Sequence, residues 1–180
     1  ACLQLVRQEL LEPLSAGSEE RGAYQRGYTH ISRLAMLYEV ERLADKFLAA
    51  PEREVAASTS GASELLQELS DRLKYTQQSW SSLEPVHRVR RAVLGLAATR
   101  LQRINPKVSE RLKFEVGESW LRSAQVAREC GQLQEAYSFL LEVKRFQHIE
   151  FFLEASQLAW ARGRHTEAIA VLRKGLQDAF

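Results

Sequence analysis

Residues 115 to 178 carry one pattern twice, at an offset of 32 positions. Trp120 and Phe152, Leu121 and Leu153, Ala124 and Ser156, Ala127 and Ala159, Gly131 and Gly163, Ala136 and Ala168, and Leu140 and Leu172 match in size at that offset. A period of this length marks helical hairpins stacked side by side, close to the spacing of tetratricopeptide arrays. In each copy a large residue (Trp120 or Phe152) and small ones (Ala124 and Ala127, or Ser156 and Ala159) recur at steps of four and three, which places them on one helical face. Gly131 and Gly163 stand where the first helix must stop, because glycine enters the left-handed conformation without a side-chain clash. The second helix carries Leu133, Ala136, Leu140 and Val143, or Ala168, Ile169, Leu172 and Leu176. Neither hairpin buries its apolar face alone, so stability comes from the stack. Trp120→Ala costs about 3–5 kcal/mol if the ring is buried.

The same helical period runs through the rest of the chain. Residues 3 to 12 read as the end of a helix stopped near Pro13. Ser18 is placed to cap the next helix, with Glu19 and Glu20 in its first turn, and the pattern Tyr24, Tyr28, Ile31, Leu34, Leu37, Val40, Leu43, Phe47 carries it to about Ala49. Residues 51 to 63 break every periodicity and read as a flexible surface loop. A helix follows from about Glu64 to Trp80 with Leu65, Leu66, Leu69 and Leu73 inward. Glu84-Pro85 opens another, whose apolar side is Val86, Val89, Val93, Ala97, Leu101 and Ile104 and which Asn105-Pro106 ends. A helix from about Val108 to Cys130 leads into the repeat, whose units are 115–146 and 147–178. The expected fold is all-α, with 1–180 a single stack of about eight antiparallel helices.

Composition narrows the class of protein. With 45% hydrophobic and 27% charged residues the chain resembles an ordinary soluble protein. No apolar run approaches the length of a membrane span. Cys2 and Cys130 make no disulfide framework; reduced thiols are expected, with Cys130 as a small buried residue. The chain starts inside a helical pattern, has Met36 as its one methionine, and reaches Phe180 with a helical pattern still running. Both ends therefore read as cuts within something longer.

Residues 84 to 113 hold Arg88, Arg90, Arg91, Arg100, Arg103, Lys107, Arg111 and Lys113 against Glu84 and Glu110. On a helical wheel Arg88, Arg91 and Arg103 fall opposite the apolar side, which makes them the candidate basic contact surface for an acidic partner. The competing reading is a solvated face partly paired with acids on a neighbouring helix. It is favoured over nucleic-acid binding because no aromatics interleave the arginines. His30, His87, His148 and His165 are scattered without ligand spacing, so no metal site is expected. Phosphoryl transfer needs aspartates, an asparagine and a lysine in defined settings. Asp45, Asp71, Asp178 and Asn105 occupy none of them, so no catalytic or cofactor-binding residue is assigned. An inner groove of stacked repeats would be lined by Glu118, Leu121, Gln125 and Arg128, then Glu150, Leu153, Gln157 and Trp160.

Tyr24-Gln25-Arg26-Gly27-Tyr28, with Ile31, Arg33, Leu34, Met36 and Leu37, begins a series of short strings. It continues through Glu84-Pro85, Arg90-Arg91-Ala92 and Leu94, Val116-Gly117-Glu118, Trp120-Leu121, Ser123-Ala124, Val126-Ala127-Arg128, Ala136-Tyr137, Leu172 and Lys174-Gly175. In this order the series resembles the FAT region of the phosphatidylinositol 3-kinase-related protein kinases, in their checkpoint branch. The resemblance implies a FAT-type segment of a tetratricopeptide/HEAT-like α-solenoid that wraps a kinase domain. It implies a parent that is an ATP- and Mg-dependent serine/threonine kinase of the nucleus, active in the DNA damage and replication stress response. The implied partners are the kinase domain, neighbouring helical repeats and, on more N-terminal repeats, an ATRIP-type regulatory subunit. The segment itself would be a non-catalytic support. An independent tetratricopeptide-like adaptor for protein–protein interaction is the alternative.

Overall fold

The computed structural model of the chain describes residues 2–16, 23–49, 59–74 and 79–179, and among these the regular secondary structure is helical throughout. The elements are α1 (Cys2–Ala16), α2 (Ala23–Ala44) running into a π-helical turn (Asp45–Ala49), α3 (Thr59–Lys74), α4 (Trp80–Leu101), α5 (Pro106–Glu129), α6 (Leu133–Arg145), α7 (Phe151–Ala161) and α8 (His165–Ala179). α1 packs on α2, α2 on α4, α4 on α5, α5 on α6 and α7, α6 on α7, and α7 on α8. The short connections within α5–α6 and α7–α8 make each pair antiparallel.

The core falls into two clusters. Leu43, Phe47, Leu69, Leu94, Leu101 and Leu112 bring together α2, its π turn, α3, α4 and the first half of α5. Leu121, Ala124, Ala127, Ala136, Leu140, Val143 and Leu158 join the second half of α5 to α6 and α7. Trp120 touches both clusters. It is half-buried, so the condition attached to its cost in the sequence is met only in part.

The offset of 32 is present in the backbone as well as in side-chain size. Gly131 and Gly163 take φ of 77° and 76°. The N–H of Gly131 donates to the Arg128 carbonyl (3.0 Å) and that of Gln132 to Ala127 (2.8 Å); in the second copy Gly163 donates to Trp160 (2.9 Å) and Arg164 to Ala159 (2.9 Å). Each hairpin is thus closed by the same left-handed glycine stop. Ala127 and Ala159, Ala136 and Ala168, and Ala124 and Ser156 are buried in both copies. Between the copies the chain turns at Gln147, a non-glycine residue with φ of 51°.

Several boundaries differ from the sequence expectation. α1 continues past Pro13 to Ala16. The proposed Ser18 cap lies outside the described residues, as do residues 51–58 of the expected loop, while residues 59–63 already belong to α3. α3 is described as far as Lys74, residues 75–78 of its expected course lying outside the described residues, and α4 starts at Trp80 after Ser79, so Pro85 lies inside α4 rather than in its first turn. The bond that Pro85 cannot donate would have gone to Ser81, on the exposed side of the helix where water can replace it. Asn105-Pro106 starts α5 more than it ends α4: Asn105 Oδ1 accepts from the Val108 N–H at 3.2 Å, and proline occupies the first helical position. Cys130 is exposed, because the left-handed turn at Gly131 carries it out of the α5–α6 contact.

Candidate functional site

α4 is covered by α2 on one side and α5 on the other, so it has two buried faces rather than one. Polar residues on those faces meet partners across each interface. Toward α2, Arg90 donates from Nε to Glu39 Oε2 (2.9 Å) and from Nη2 to Oε1 (2.5 Å), and from Nη1 to Ser70 of α3 (3.3 Å). Both charged groups are buried, and the guanidinium grips the carboxylate with two parallel bonds.

Toward α5, Arg91 donates from Nη2 to Glu84 (2.8 Å), and from Nη1 to the Ser123 hydroxyl (2.6 Å) and the Ser119 carbonyl (3.3 Å). Ser123 in turn donates to the other oxygen of Glu84 (2.7 Å), closing a ring of bonds inside the protein. The guanidinium lies 3.8 Å from the centre of the Trp120 ring, which adds a cation–π contact. Burial pushes the Arg91 guanidinium below its ordinary value, and Glu84 opposes that shift. His87, one turn away, is lowered to about 3 by burial and then by Arg90, Arg91 and Arg122, so it is neutral at physiological pH.

The third bridge joins α5 to α7. Arg128 donates from Nε and Nη2 to the two oxygens of Glu154 at 2.7 and 3.2 Å. Burial raises the Glu154 carboxyl, and the hydrogen bond and charge of Arg128 oppose it. Nearby, His148 Nε2 is 2.8 Å from Glu118, its Nδ1 accepts the Glu150 N–H at 3.3 Å, and its ring stacks on Phe114. Glu118, His148 and Glu150 lie close enough to share a cation. His148 Nδ1 is taken up by the Glu150 N–H, and Nε2, although 2.8 Å from Glu118, makes no hydrogen bond of good geometry to it.

The three arginines singled out in the sequence do not form one surface. The Arg88 side chain is 73% exposed and 3.4 Å from Glu84, and Arg103 is exposed, but Arg91 is 5% exposed and internal. A single-faced wheel put Arg91 outside, whereas α5 covers that side and supplies the polar lining of Ser119 and Ser123. Glu84 and Arg91, seven residues apart on one helical face, were a usable sign of this pairing. Glu39 and Arg90, 51 apart, had no local sign. Of the expected groove, Leu121 and Arg128 are taken up in contacts with α7, while Glu150, Leu153, Gln157 and Trp160 are exposed. The buried carboxylates of Glu39 and Glu154 are each engaged by a guanidinium of another helix, and that of Glu84, paired with Arg91 of its own helix, accepts from Ser123 of α5, which fits all three for fixing helix register. Among the described residues no helix is long and apolar enough to cross a membrane.

The sequence model of the FAT domain family matches residues 1–180. Curated relatives include a serine/threonine-protein kinase ATR of Drosophila melanogaster, 26% identical over 96% of this chain and 7% of that protein. Another of the same name from Arabidopsis thaliana is 26% identical over 97% of the chain and 6% of that protein. One from Oryza sativa subsp. indica is 29% identical over 94% and 6% respectively. The chain therefore spans 6–7% of the length of these relatives. No solved structure matches it.

Proposed function

Since the chain belongs to the FAT domain family along its whole length, we propose that it is a non-catalytic helical scaffold segment of an ATR-like serine/threonine protein kinase, stacked as an α-solenoid that supports and regulates the kinase domain. Units 115–146 and 147–178 are successive repeats of that solenoid. The observation that carries this reading is the polar anchoring of three helix interfaces: ion pairs cross α2–α4 (Arg90–Glu39) and α5–α7 (Arg128–Glu154), and the buried Arg91–Glu84 pair within α4 is bonded across α4–α5 to Ser123. Breaking a buried pair by removing one partner costs about 3–5 kcal/mol, so such bridges resist sliding of one helix past the next. A stack held in register moves as a unit. It can couple a contact at one end to a domain held at the other, typically by about 1–3 kcal/mol.

The rest follows from the relatives' kinase names and the checkpoint resemblance. The parent acts in the nucleus in the DNA damage and replication stress response, with ATP and Mg²⁺ in its kinase domain and an ATRIP-type subunit on other repeats. On this segment Arg88 and Arg103 remain as the basic contact surface, with exposed Ala92, Leu96 and Thr99 between them on the same side of α4. The test is the full-length kinase carrying Arg88→Glu and Arg103→Glu together. Altered basal or stimulated phosphorylation of a peptide substrate is expected; unchanged kinetics and assembly remove the contact role.

A further inference from the structure

The turn between the two repeat copies holds a buried side chain with unused chemistry. His148 follows Gln147, where the chain turns with φ of 51°, and its ring stacks on Phe114 of α5 with centroids 4.8 Å apart. The side chain is 3% exposed, yet Nε2 has no hydrogen-bond partner. Phe114 and Glu118 are one turn apart on α5, so the helix face that holds the ring also brings a carboxylate beside it. Glu118 Oε2 lies 2.8 Å from Nε2, while Arg122 Nε donates to Oε1 at 3.0 Å. Glu150, two residues beyond His148, adds a second carboxylate, and one ligand atom from each of the three residues lies within 4.8 Å of the others. The spacing of the histidines could not show this, because the fold brings Glu118 to them from another helix.

We propose that Glu118, His148 and Glu150 bind a zinc ion, with Nε2 and one oxygen of each carboxylate as ligands and water completing the shell. One imidazole with two carboxylates suits zinc, whereas magnesium and calcium prefer oxygen alone. Ligand atoms about 2.0–2.2 Å from zinc stand about 3.3 Å apart in a tetrahedron, so the 2.8 Å between Glu118 Oε2 and Nε2 opens by about half an ångström on binding. Arg122, bonded to the other oxygen of Glu118, orients that carboxylate from outside the ligand set. Coordination through Nε2 leaves the proton of the neutral ring on Nδ1. The 3.3 Å bond from the Glu150 N–H is then given up, and that N–H, at an exposed residue just before α7, turns to water. The ion ties the turn between the repeat copies to α5. The site draws only on α5 and this turn, so its failure leaves the kinase-scaffold reading untouched.

The experiment is hydrogen exchange on the full-length polypeptide, stripped with EDTA and then titrated with zinc chloride in the absence of nucleotide. The reporters are the N–H groups of Phe151, Leu153 and Glu154, which bond to the carbonyls of His148 and Glu150 and exchange when the turn frays. An ion bound only to the closed turn slows them about tenfold at about ten times its Kd. His148→Gln and Glu118→Gln should abolish the slowing. Should either misfold, as read from exchange elsewhere in the EDTA-stripped chain, Glu150→Gln alters an exposed carboxylate and should raise the Kd at least as much as loss of an outer partner does, about tenfold. Magnesium at the same concentration should leave the three amides unchanged. No slowing by zinc in the wild-type chain overturns the proposal, and so does magnesium acting as well as zinc. Equal slowing in a folded His148→Gln or Glu150→Gln chain also overturns it, marking an adventitious ion only.

Discussion

A guanidinium taken out of water keeps its place only while its partners stay with it. Arg91 is held by Glu84, Ser123 and the face of Trp120, so Arg91→Ala leaves a buried carboxylate whose remaining cation, Arg88, is exposed and more distant. The expected loss is about 3–5 kcal/mol in urea unfolding of the chain. Arg103→Ala, on the surface, should stay within about 0.5 kcal/mol of wild type. Similar small losses for both would mean that Arg91 is solvated after all. Replacing the pair together, as Arg91→Met with Glu84→Leu, should be less damaging than Arg91→Met alone, since no charge is left stranded. His87 gives a second test at this scale. Its pKa is lowered to about 3 by burial and the nearby arginines, against an ordinary 6.5. The unfolded chain therefore binds a proton that the folded one refuses, and stability falls as pH drops from about 6.5 towards 3, by up to about 1.4 kcal/mol per pH unit. His87→Gln should flatten that limb in urea melts at pH 4 to 6; an unchanged slope would mean that His87 is accessible to protons in the fold.

Among the elements, the hairpin stops were legible and the helix starts were not. Gly131 and Gly163 were recognisable because the repeat placed them together and only glycine takes a φ near 77° freely. The start of α4 at Trp80 was hidden behind Pro85, which reads as a first-turn residue although the helix is already under way. The π turn at Asp45–Ala49 had no local sign either, since Arg100 of α4 donates to the freed Phe47 carbonyl at 3.1 Å and also to that of Leu48. The stops have open space where a Cβ would stand, so their substitution tests conformation alone. Gly131→Ala and Gly163→Ala should each cost about 1–2 kcal/mol in thermal unfolding. Gly175→Ala differs in kind: its backbone is ordinary, but a Cβ would run into Cβ and Cγ of Phe152, atoms close to the α7 backbone that cannot swing away. Its expected cost is about 1–3 kcal/mol, and it should be smaller when Phe152→Ala has removed the clashing Cγ and Cδ2. A Gly175→Ala chain as stable as wild type would show that α7 and α8 are packed more loosely.

For the whole molecule, the sequence revealed an all-helical chain and a duplicated hairpin but not how charge is distributed between inside and outside. Whether an arginine in residues 84 to 113 faces water depends on which distant helix covers it, and the contacts of Arg90 with Glu39 and of Arg128 with Glu154 span 51 and 26 positions. Size periodicity reports the apolar face of one helix; it is blind to a second buried face lined with serine. Trp120 ties these levels together, since its ring contacts both clusters, lies against Arg91 and sits 5.5 Å from Phe139 of α6. Were the clusters independent, its loss would weaken α5–α7 and leave α2–α4 unchanged. Because it belongs to both, Trp120→Ala should lower overall stability by about 3 kcal/mol, the low end for a large aromatic given its partial burial. It should also separate two opening units that otherwise exchange together. Hydrogen exchange across the chain reads this directly: protection should fall in α4 as well as in α6 and α7, with α6–α7 amides opening first. A fall confined to α5–α7, or no fall at all, would show that the two clusters do not depend on each other through this ring.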